Sequence, residues 1–123
     1  MFLDTTVFID FLKGKQKIKK FLEEEKKLST SVIVVMEVLA GFSGKRQAKE
    51  FEKFLEESLI TVYHIDEKIS YLALELFKNY FYSHSLGIAD SLIAATAMVY
   101  RQKLATANLR HFKAVEKLKL QRL

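Results

Sequence analysis

The sequence predicts an α/β fold with a mostly parallel central sheet that helices cover on both faces. Short apolar segments that favour strands alternate along the chain with longer amphipathic segments that favour helices. This alternation is typical of parallel sheets, because the chain reaches each new parallel strand through a crossover that is usually a helix. The 123 residues contain no proline and four glycines, and no linker-like stretch divides them. We therefore predict a single domain over residues 1–123.

The N-terminal elements are predicted from a short apolar run and the capping residues that follow it. Met1–Leu3 is apolar and precedes Asp4-Thr5-Thr6, so we predict a buried strand and then a helix that uses Thr5 or Thr6 as its cap. Further elements are a helix over Ile18–Lys26, a strand over Leu28–Ser31 and an amphipathic helix over Gln47–Glu57.

Val32–Leu39 is rich in β-branched residues, and its length and periodicity fit either a strand or a buried helix. We favour a helix, because Ser29-Thr30-Ser31 offers N-caps and Gly41 offers a stop. Later in the chain, Leu59–Ile65 predicts a strand, and Asp66 is expected to cap a helix. That helix buries residues at spacings of four, three and four, namely Ile69, Ala73, Leu76 and Tyr80. The last predicted elements are a helix over Ala89–Arg101 and strands over Leu104–Thr106 and Leu118–Leu120.

Three carboxylates lie in segments where acids are otherwise absent. Asp4 follows the apolar Met1–Leu3, Glu37 is the only acid between Lys26 and Lys49, and Asp90 is the only acid between Leu76 and Val115. We expect these segments to be buried or half-buried, where a carboxylate is costly unless a cation or hydrogen bonds compensate it. No lysine or arginine is near Glu37 or Asp90 in sequence, so a shared Mg²⁺ or Mn²⁺ is a favoured explanation. Helix capping by Asp4 or Asp90, and a core hydrogen bond for Glu37, are the alternatives.

The positive charge is concentrated at the C-terminus. The chain has a net charge of +5. Residues 101–123 hold seven basic residues and one acid, whereas residues 1–100 hold 13 basic and 14 acidic residues. A basic segment beside an acidic metal site favours phosphate binding, and a solvated basic face is the alternative.

Several classes of protein are excluded by composition. The chain has no cysteine, which excludes a disulfide framework, a cysteine-ligated zinc site and thiol catalysis. Its N-terminus lacks the basic region of a secretory signal, and its longest apolar stretches are too short for a membrane helix. We expect a cytoplasmic protein that does not associate with membranes.

Four blocks of sequence carry a family resemblance. They are Asp4–Asp10, Val35–Gly41, Ile88–Ala97 and Leu104–Phe112, and in this order and spacing they resemble the signature blocks of PIN-domain ribonucleases, most of all the VapC toxins of toxin–antitoxin pairs. The resemblance covers nearly the whole chain. It implies a Rossmann-like three-layer α/β/α sandwich and an endoribonuclease that hydrolyses phosphodiester bonds of transfer RNA or another structured RNA.

The resemblance also implies roles for individual residues. Asp4, Glu37 and Asp90 match the acidic ligands of Mg²⁺ or Mn²⁺, and Thr6 matches a hydroxyl residue that orients the first acid. Asn108 stands where the family has Asp or Asn, so it counts with the catalytic group but supplies no fourth acid. Arg110 and Lys113 are expected to hold flanking RNA phosphates. His111 stands where many relatives carry an acid, and we expect it to have a stacking or polar surface role.

Partners follow from the same resemblance. It implies a homodimer and a small VapB-type antitoxin that covers the active site. Phe77–Tyr82 contains four aromatic residues, more than one helix face can bury, which fits either a wide core stripe or a protein interface. Two other functions stay open. One is a nucleic-acid-binding PIN domain with weak or no catalysis, and the other is a receiver-like phosphoacceptor domain, which the lack of an acid beside Asp4 disfavours.

Overall fold

A computed structural model describes all 123 residues, and five parallel strands form its central sheet. Six helices connect and cover the strands. A 3₁₀ turn over Leu109–His111 lies between the last two strands. The elements in chain order are β1 (Phe2–Leu3), α1 (Thr5–Leu12), α2 (Gln16–Glu24), β2 (Ser29–Ser31), α3 (Val32–Ala40), α4 (Lys45–Glu57), β3 (Thr61–Tyr63), α5 (Glu67–His84), α6 (Ile88–Val99), β4 (Leu104–Thr106) and β5 (Leu120–Arg122).

The strand order is β3-β2-β1-β4-β5, so the chain reverses its direction of progress between β1 and β4. Every neighbouring pair is parallel, and Leu3 lies beside Ala105 where β1 meets β4. Because the direction of progress reverses, right-handed crossovers place helices on both faces of the sheet. The predicted three-layer α/β/α sandwich with a parallel sheet is confirmed. Sheets of this kind form their sites at the carboxyl ends of the strands, where the order reverses.

Side-chain caps define the start of three helices. Ser31 caps α3 by accepting a hydrogen bond from the Val34 amide at 3.2 Å, and Asp66 caps α5 through the Ile69 amide at 2.8 Å. The helix predicted over Val32–Leu39 and the cap predicted at Asp66 are therefore confirmed. The threonine cap favoured for α1 was wrong, and the alternative, capping by Asp4, is confirmed: Asp4 accepts from the Val7 amide at 3.3 Å. Asp4 is the last extended residue before the helix, and the Thr6 hydroxyl donates to it instead of capping.

The other predicted elements are present, with ends that differ by at most two residues. The largest relative difference is in the last strand, predicted over Leu118–Leu120 and observed over Leu120–Arg122. Its register follows from pairing with β4, where Leu104 lies opposite Leu120. A segment of three residues does not contain that information, because an edge strand takes its register from its neighbour.

The hydrophobic core is one cluster of 24 buried residues centred on β1 and β4. Phe2, Leu3, Leu104 and Ala105 are fully buried, as expected for the middle strands of a sheet covered on both faces. In α5, the predicted inward residues Ile69, Ala73 and Leu76 are buried, and Tyr80 is half-buried. No helix has both the length and the apolar character that crossing a bilayer requires.

Candidate active site

Asp4 lies at the carboxyl end of β1, directly beside the end of β4. Its amide donates to the Ala105 carbonyl at 3.2 Å, and the residue is only 3% exposed. Three donors hold the carboxylate. The Thr6 hydroxyl donates to Oδ1 at 2.5 Å, the Val7 amide donates to Oδ1 at 3.3 Å, and the Thr106 hydroxyl donates to Oδ2 at 2.6 Å. The first acid of the site is therefore buried and fixed in position.

Burial raises the pKa of Asp4, although the hydrogen bonds from Thr106, Thr6 and the Val7 amide act in the opposite direction. The physical cause is desolvation, which disfavours the charged form of a carboxyl in the interior. No lysine or arginine forms a salt bridge with Asp4. A carboxylate with this environment gains most from a nearby cation.

Thr6 and Thr106 connect Asp4 to the segment that follows β4. While donating to Asp4, the Thr6 hydroxyl accepts from the Ala107 amide and the Thr106 hydroxyl accepts from the Asn108 amide, each at 2.9 Å. Sequence reasoning predicted the position of Thr6 beside Asp4 but missed Thr106. The available signal was a hydroxyl residue at the end of a predicted apolar strand, where it faces the same edge of the sheet as Asp4.

Asp90 lies in the first turn of α6, but it does not cap that helix, because Gly87 occupies the cap position. Its side chain is 27% exposed, and its Oδ2 lies 3.3 Å from Nδ1 of His111. Burial raises the pKa of Asp90, His111 lowers it, and the negative charges of Glu37 and Asp4 raise it further. The two other carboxylates therefore act electrostatically on Asp90. The contact with His111 was not foreseen, since His111 was expected to stack or to lie on the surface.

Glu37 reaches the site from α3 through a contact with α1. Its Oε1 accepts a hydrogen bond at 2.5 Å from the hydroxyl of Thr5, the residue that follows Asp4 in the chain. The expectation that Glu37 is buried or half-buried was wrong, because the residue is exposed. The helix buries only one face, through Val34, Val35 and Val38, and Met36 and Glu37 fall outside it. An almost wholly apolar helix sequence does not show which of its faces is covered.

None of the three acids is paired with a lysine or an arginine. The structure contains five salt bridges, and the only one that involves these acids is the contact between His111 and Asp90. No three His, Asp or Glu side chains are close enough to form a complete metal-binding cluster. Mg²⁺ needs only one or two carboxylates, however, because it keeps several of its waters. Oxygen donors from Asp4 and Asp90, with Glu37 near them, are chemically suited to a hydrated Mg²⁺ or Mn²⁺.

The basic C-terminal segment is divided between two edges of the sheet. Arg110 and Lys113 are exposed, and they follow β4 at the edge where Asp4 lies, beside the half-buried Asn108. Four others precede β4 or β5 and therefore lie at the opposite edge, namely Arg101, Lys103, Lys117 and Lys119. The segment is basic in sequence, but only part of it lies on the side of the acids.

Comparison with known proteins agrees with this architecture. Residues 1–118 match the PIN domain family. Ribonuclease VapC10 of Mycobacterium tuberculosis is 32% identical over 118 residues, which cover 95% of this chain and 89% of that protein. VapBC2 from Rickettsia felis, solved bound to a DNA fragment from its promoter, has a TM-score of 0.84 at 23% identity, covering 99% of this chain and 97% of that one. A toxin–antitoxin complex from Klebsiella pneumoniae has a TM-score of 0.76 at 25% identity, with coverage of 94% and 92%.

The parallel five-stranded sheet with acids at its carboxyl edge is the architecture of a PIN domain. The chain belongs to the PIN-domain family, and within it to the VapC ribonucleases. The resemblance predicted from the four sequence blocks is therefore confirmed.

Proposed function

We propose that the protein is a Mg²⁺- or Mn²⁺-dependent endoribonuclease that acts as the toxin of a VapBC pair. The observation that carries the proposal is the buried Asp4 at the carboxyl end of β1, where the strand order reverses. Asp4 and Glu37 act electrostatically on Asp90, and no lysine or arginine is paired with any of the three. Ribonuclease names among the relatives support the same reaction class. Transfer RNA or another structured RNA is the proposed substrate.

Each residue has a role that follows from its position. Asp4 and Asp90 would hold the cation, with Glu37 beside them. Thr6 and Thr106 keep the Asp4 oxygens fixed, so the site does not have to reorganise during the reaction. A cation bound by these carboxylates would supply charge stabilisation for the phosphodiester and a more acidic water as the nucleophile. One of the carboxylates accepts the proton of that water. Asn108 lies next to this group, and Arg110 and Lys113 hold the flanking phosphates.

The test is cleavage of total RNA by the purified protein. We expect cleavage with Mg²⁺ or Mn²⁺, loss of cleavage with EDTA, and loss in the Asp4→Asn and Asp90→Asn variants. Asp10→Asn is the matched control, because Asp10 belongs to α1 and pairs with Lys15 at 3.0 Å. Undiminished cleavage by Asp90→Asn, or in the presence of EDTA, would contradict the proposal.

A second function is favoured by one observation, the lack of a complete three-residue metal cluster. It is a PIN domain that binds nucleic acid and does little or no catalysis. A Mn²⁺ titration with RNA present separates the two functions. Binding of Mn²⁺ that depends on Asp90 and is accompanied by cleavage supports the nuclease. RNA binding without Mn²⁺ binding and without cleavage supports the second function.

An antitoxin of the VapB type is the proposed protein partner, because solved neighbours of this fold include VapBC and toxin–antitoxin complexes. A groove between α1 and α3 leads away from Glu37 and is lined by Ile9, Leu12, Val38 and Phe42. Ile9 and Leu12 are exposed. Apolar side chains of an antitoxin would cover this groove and the acids beside it. We propose that the pair acts in the cytoplasm, where RNA is available. When the protein is purified together with its antitoxin, we expect RNA to be protected from cleavage.

A homodimer is the proposed assembly, and the outer face of α5 supplies a surface for it. Tyr82 is 87% exposed, Ile88 at the start of α6 is 72% exposed, and Phe77 stacks on Phe81 with ring centroids 4.6 Å apart. The aromatic residues of Phe77–Tyr82 are therefore divided between the core and the surface. Tyr80 packs against the core, and its hydroxyl accepts from the Glu116 amide at 3.2 Å. Light scattering should give twice the chain mass for the wild type and the monomer mass for a Tyr82→Glu, Ile88→Glu variant.

A further inference from the structure

His111 brings an imidazole nitrogen next to one of the acids. Its Nδ1 lies 3.3 Å from Oδ2 of Asp90. Two neighbouring ligands of one octahedral ion, each about 2.1 Å from the metal, are about 3 Å apart. The observed separation therefore fits a pair of donors that share an ion, after a shift of a few tenths of an ångström.

The backbone of His111 is held in place from both sides. The residue ends the 3₁₀ turn, and the next residue, Phe112, is 1% exposed and anchors the turn in the core. On the other side, the Asn108 amide is bound by the Thr106 hydroxyl, which also donates to Asp4. The histidine and the first acid are therefore positioned by one network.

The donors of the site are otherwise few. Both oxygens of Asp4 already accept hydrogen bonds, and Glu37 is bound by Thr5. The imidazole of His111 forms no hydrogen bond other than its contact with Asp90, and its side chain is 55% exposed. Of the two other histidines, His84 contacts Ser83 on α5 and neither forms a salt bridge with an acid. His111 is thus the free nitrogen donor nearest to the acids.

We propose that His111 is a direct ligand of the site cation together with Asp90, and that its imidazole makes the site prefer first-row transition-metal ions such as Mn²⁺ over Mg²⁺. This inference rests on the proposed metal-dependent function. Mg²⁺ is a hard ion that takes oxygen ligands and gives up its waters reluctantly. Imidazole nitrogen is a softer donor that suits transition metals better. A site with one such donor therefore discriminates between ions that an all-oxygen site would treat more equally.

The experiment is Mn²⁺ binding to the purified protein, followed by electron paramagnetic resonance, with electron spin-echo modulation to detect a ¹⁴N nucleus coupled to the bound ion. We expect ¹⁴N modulation in the wild type and in the control His84→Ala, and none in His111→Ala. The Mn²⁺ affinity should fall by about tenfold or more in His111→Ala, since even outer partners of metal ligands contribute this much. Mg²⁺ affinity, measured by competition, should change far less.

His111→Asp provides a second variant, because it restores an oxygen donor at the same place. We expect it to bind Mg²⁺ more tightly than the wild type and to lose the ¹⁴N signal. Mn²⁺ that binds through Asp90, as shown by its loss in Asp90→Asn, but shows no ¹⁴N modulation from His111 would overturn this inference and leave the proposed function standing. Failure of the wild type to bind Mn²⁺ at all would overturn both.

Discussion

Asp4 is the most constrained side chain of the site, and Thr106 contributes most directly to holding it. The Thr106 hydroxyl is fully buried, donates to Asp4 and accepts from the Asn108 amide. Asp4 and the Asn108 amide are therefore both hydrogen-bonded to Thr106. In the sequence, Thr106 is recognisable only as the last residue of a short predicted strand. The chemistry of the acid is therefore tied to a strand that lies about a hundred positions away in the chain.

We expect Thr106→Val to destabilise the protein by about 1–3 kcal/mol, because the isosteric change leaves two buried polar groups without their partner. The loss of a hydrogen bond to the charged form also raises the pKa of Asp4 further. Urea unfolding measures the loss of stability, and Mn²⁺ binding and RNA cleavage measure the consequence for the Asp4 carboxylate. Thr30→Val is the matched control, since Thr30 is equally buried but donates to the Leu3 carbonyl. Equal metal affinity in the two variants would show that Thr106 has no role at the site.

Asp4, which is buried, and Asp90, which is half-buried, also predict how stability depends on pH. Burial raises the pKa of Asp90 and of Asp4 in the folded state above the unfolded value near 3.8. At pH values between the unfolded and the folded pKa of such a carboxyl, the folded state binds more protons than the unfolded state. The free energy of unfolding therefore falls as the pH rises through this range up to the folded pKa. Without metal at pH 7, Asp90→Asn should therefore melt at a higher temperature than the wild type. This advantage should shrink as the pH approaches 4.

Thermal melts in EDTA at pH 7 and at pH 4.5 test this expectation. Asp10→Asn again serves as the control, because it removes a salt bridge with Lys15 and should bring no stabilisation. Addition of Mn²⁺ should reverse the order at pH 7, since the ion stabilises only a site that binds it. An Asp90→Asn variant that melts below the wild type at pH 7 without metal would contradict the electrostatic account.

At the scale of elements, α3 shows what local sequence specifies and what it leaves open. Its start is specified, since Ser31 caps it and the caps were evident from the sequence. Its orientation is not, since its nine residues are apolar nearly all round and the burial of one face depends on contacts with α1 and α6. Glu37 acts electrostatically on Asp90, but its exposure was predicted wrongly from its neighbours.

We expect Ser31→Ala to destabilise the protein by about 1 kcal/mol, because it removes the N-cap of α3 and leaves the Val34 amide unpaired. The midpoint of urea unfolding measures this loss. Ser43→Ala is the comparison, since Ser43 is a serine near the start of α4 whose hydroxyl contacts Gln47 while exposed to solvent. A loss in Ser31→Ala no greater than in Ser43→Ala would contradict a capping role.

At the scale of the whole molecule, the two edges of the sheet carry different charge. The acids, Arg110 and Lys113 lie at the carboxyl edge, whereas Lys103 and Lys119 precede β4 and β5 at the opposite edge. The proposed RNA contacts therefore involve only part of the basic C-terminal segment, although its charge is continuous in sequence.

We expect the double variant Arg110→Ala, Lys113→Ala to bind RNA more weakly and to lower the slope of log affinity against log salt. Each lost phosphate contact reduces the slope by about 0.7 for single-stranded RNA. Lys103→Ala, Lys119→Ala has the same change of charge and serves as the control. Filter binding in EDTA between low and moderate salt measures both slopes. Equal slopes in the two variants would show that binding depends on overall charge and not on the edge beside the acids.

The sequence by itself determined the alternation of strands and helices, two of the caps and the family, because these depend on neighbours along the chain or on motifs in a fixed order. The tertiary structure decided which side chains meet. Thr106 and His111 join Asp4 and Asp90 because β4 pairs with β1 and the 3₁₀ turn follows it. It also decided that Glu37 is exposed and that the basic segment is divided between two edges of the sheet. Each of these depends on contacts between distant parts of the chain, which local propensity and periodicity do not encode.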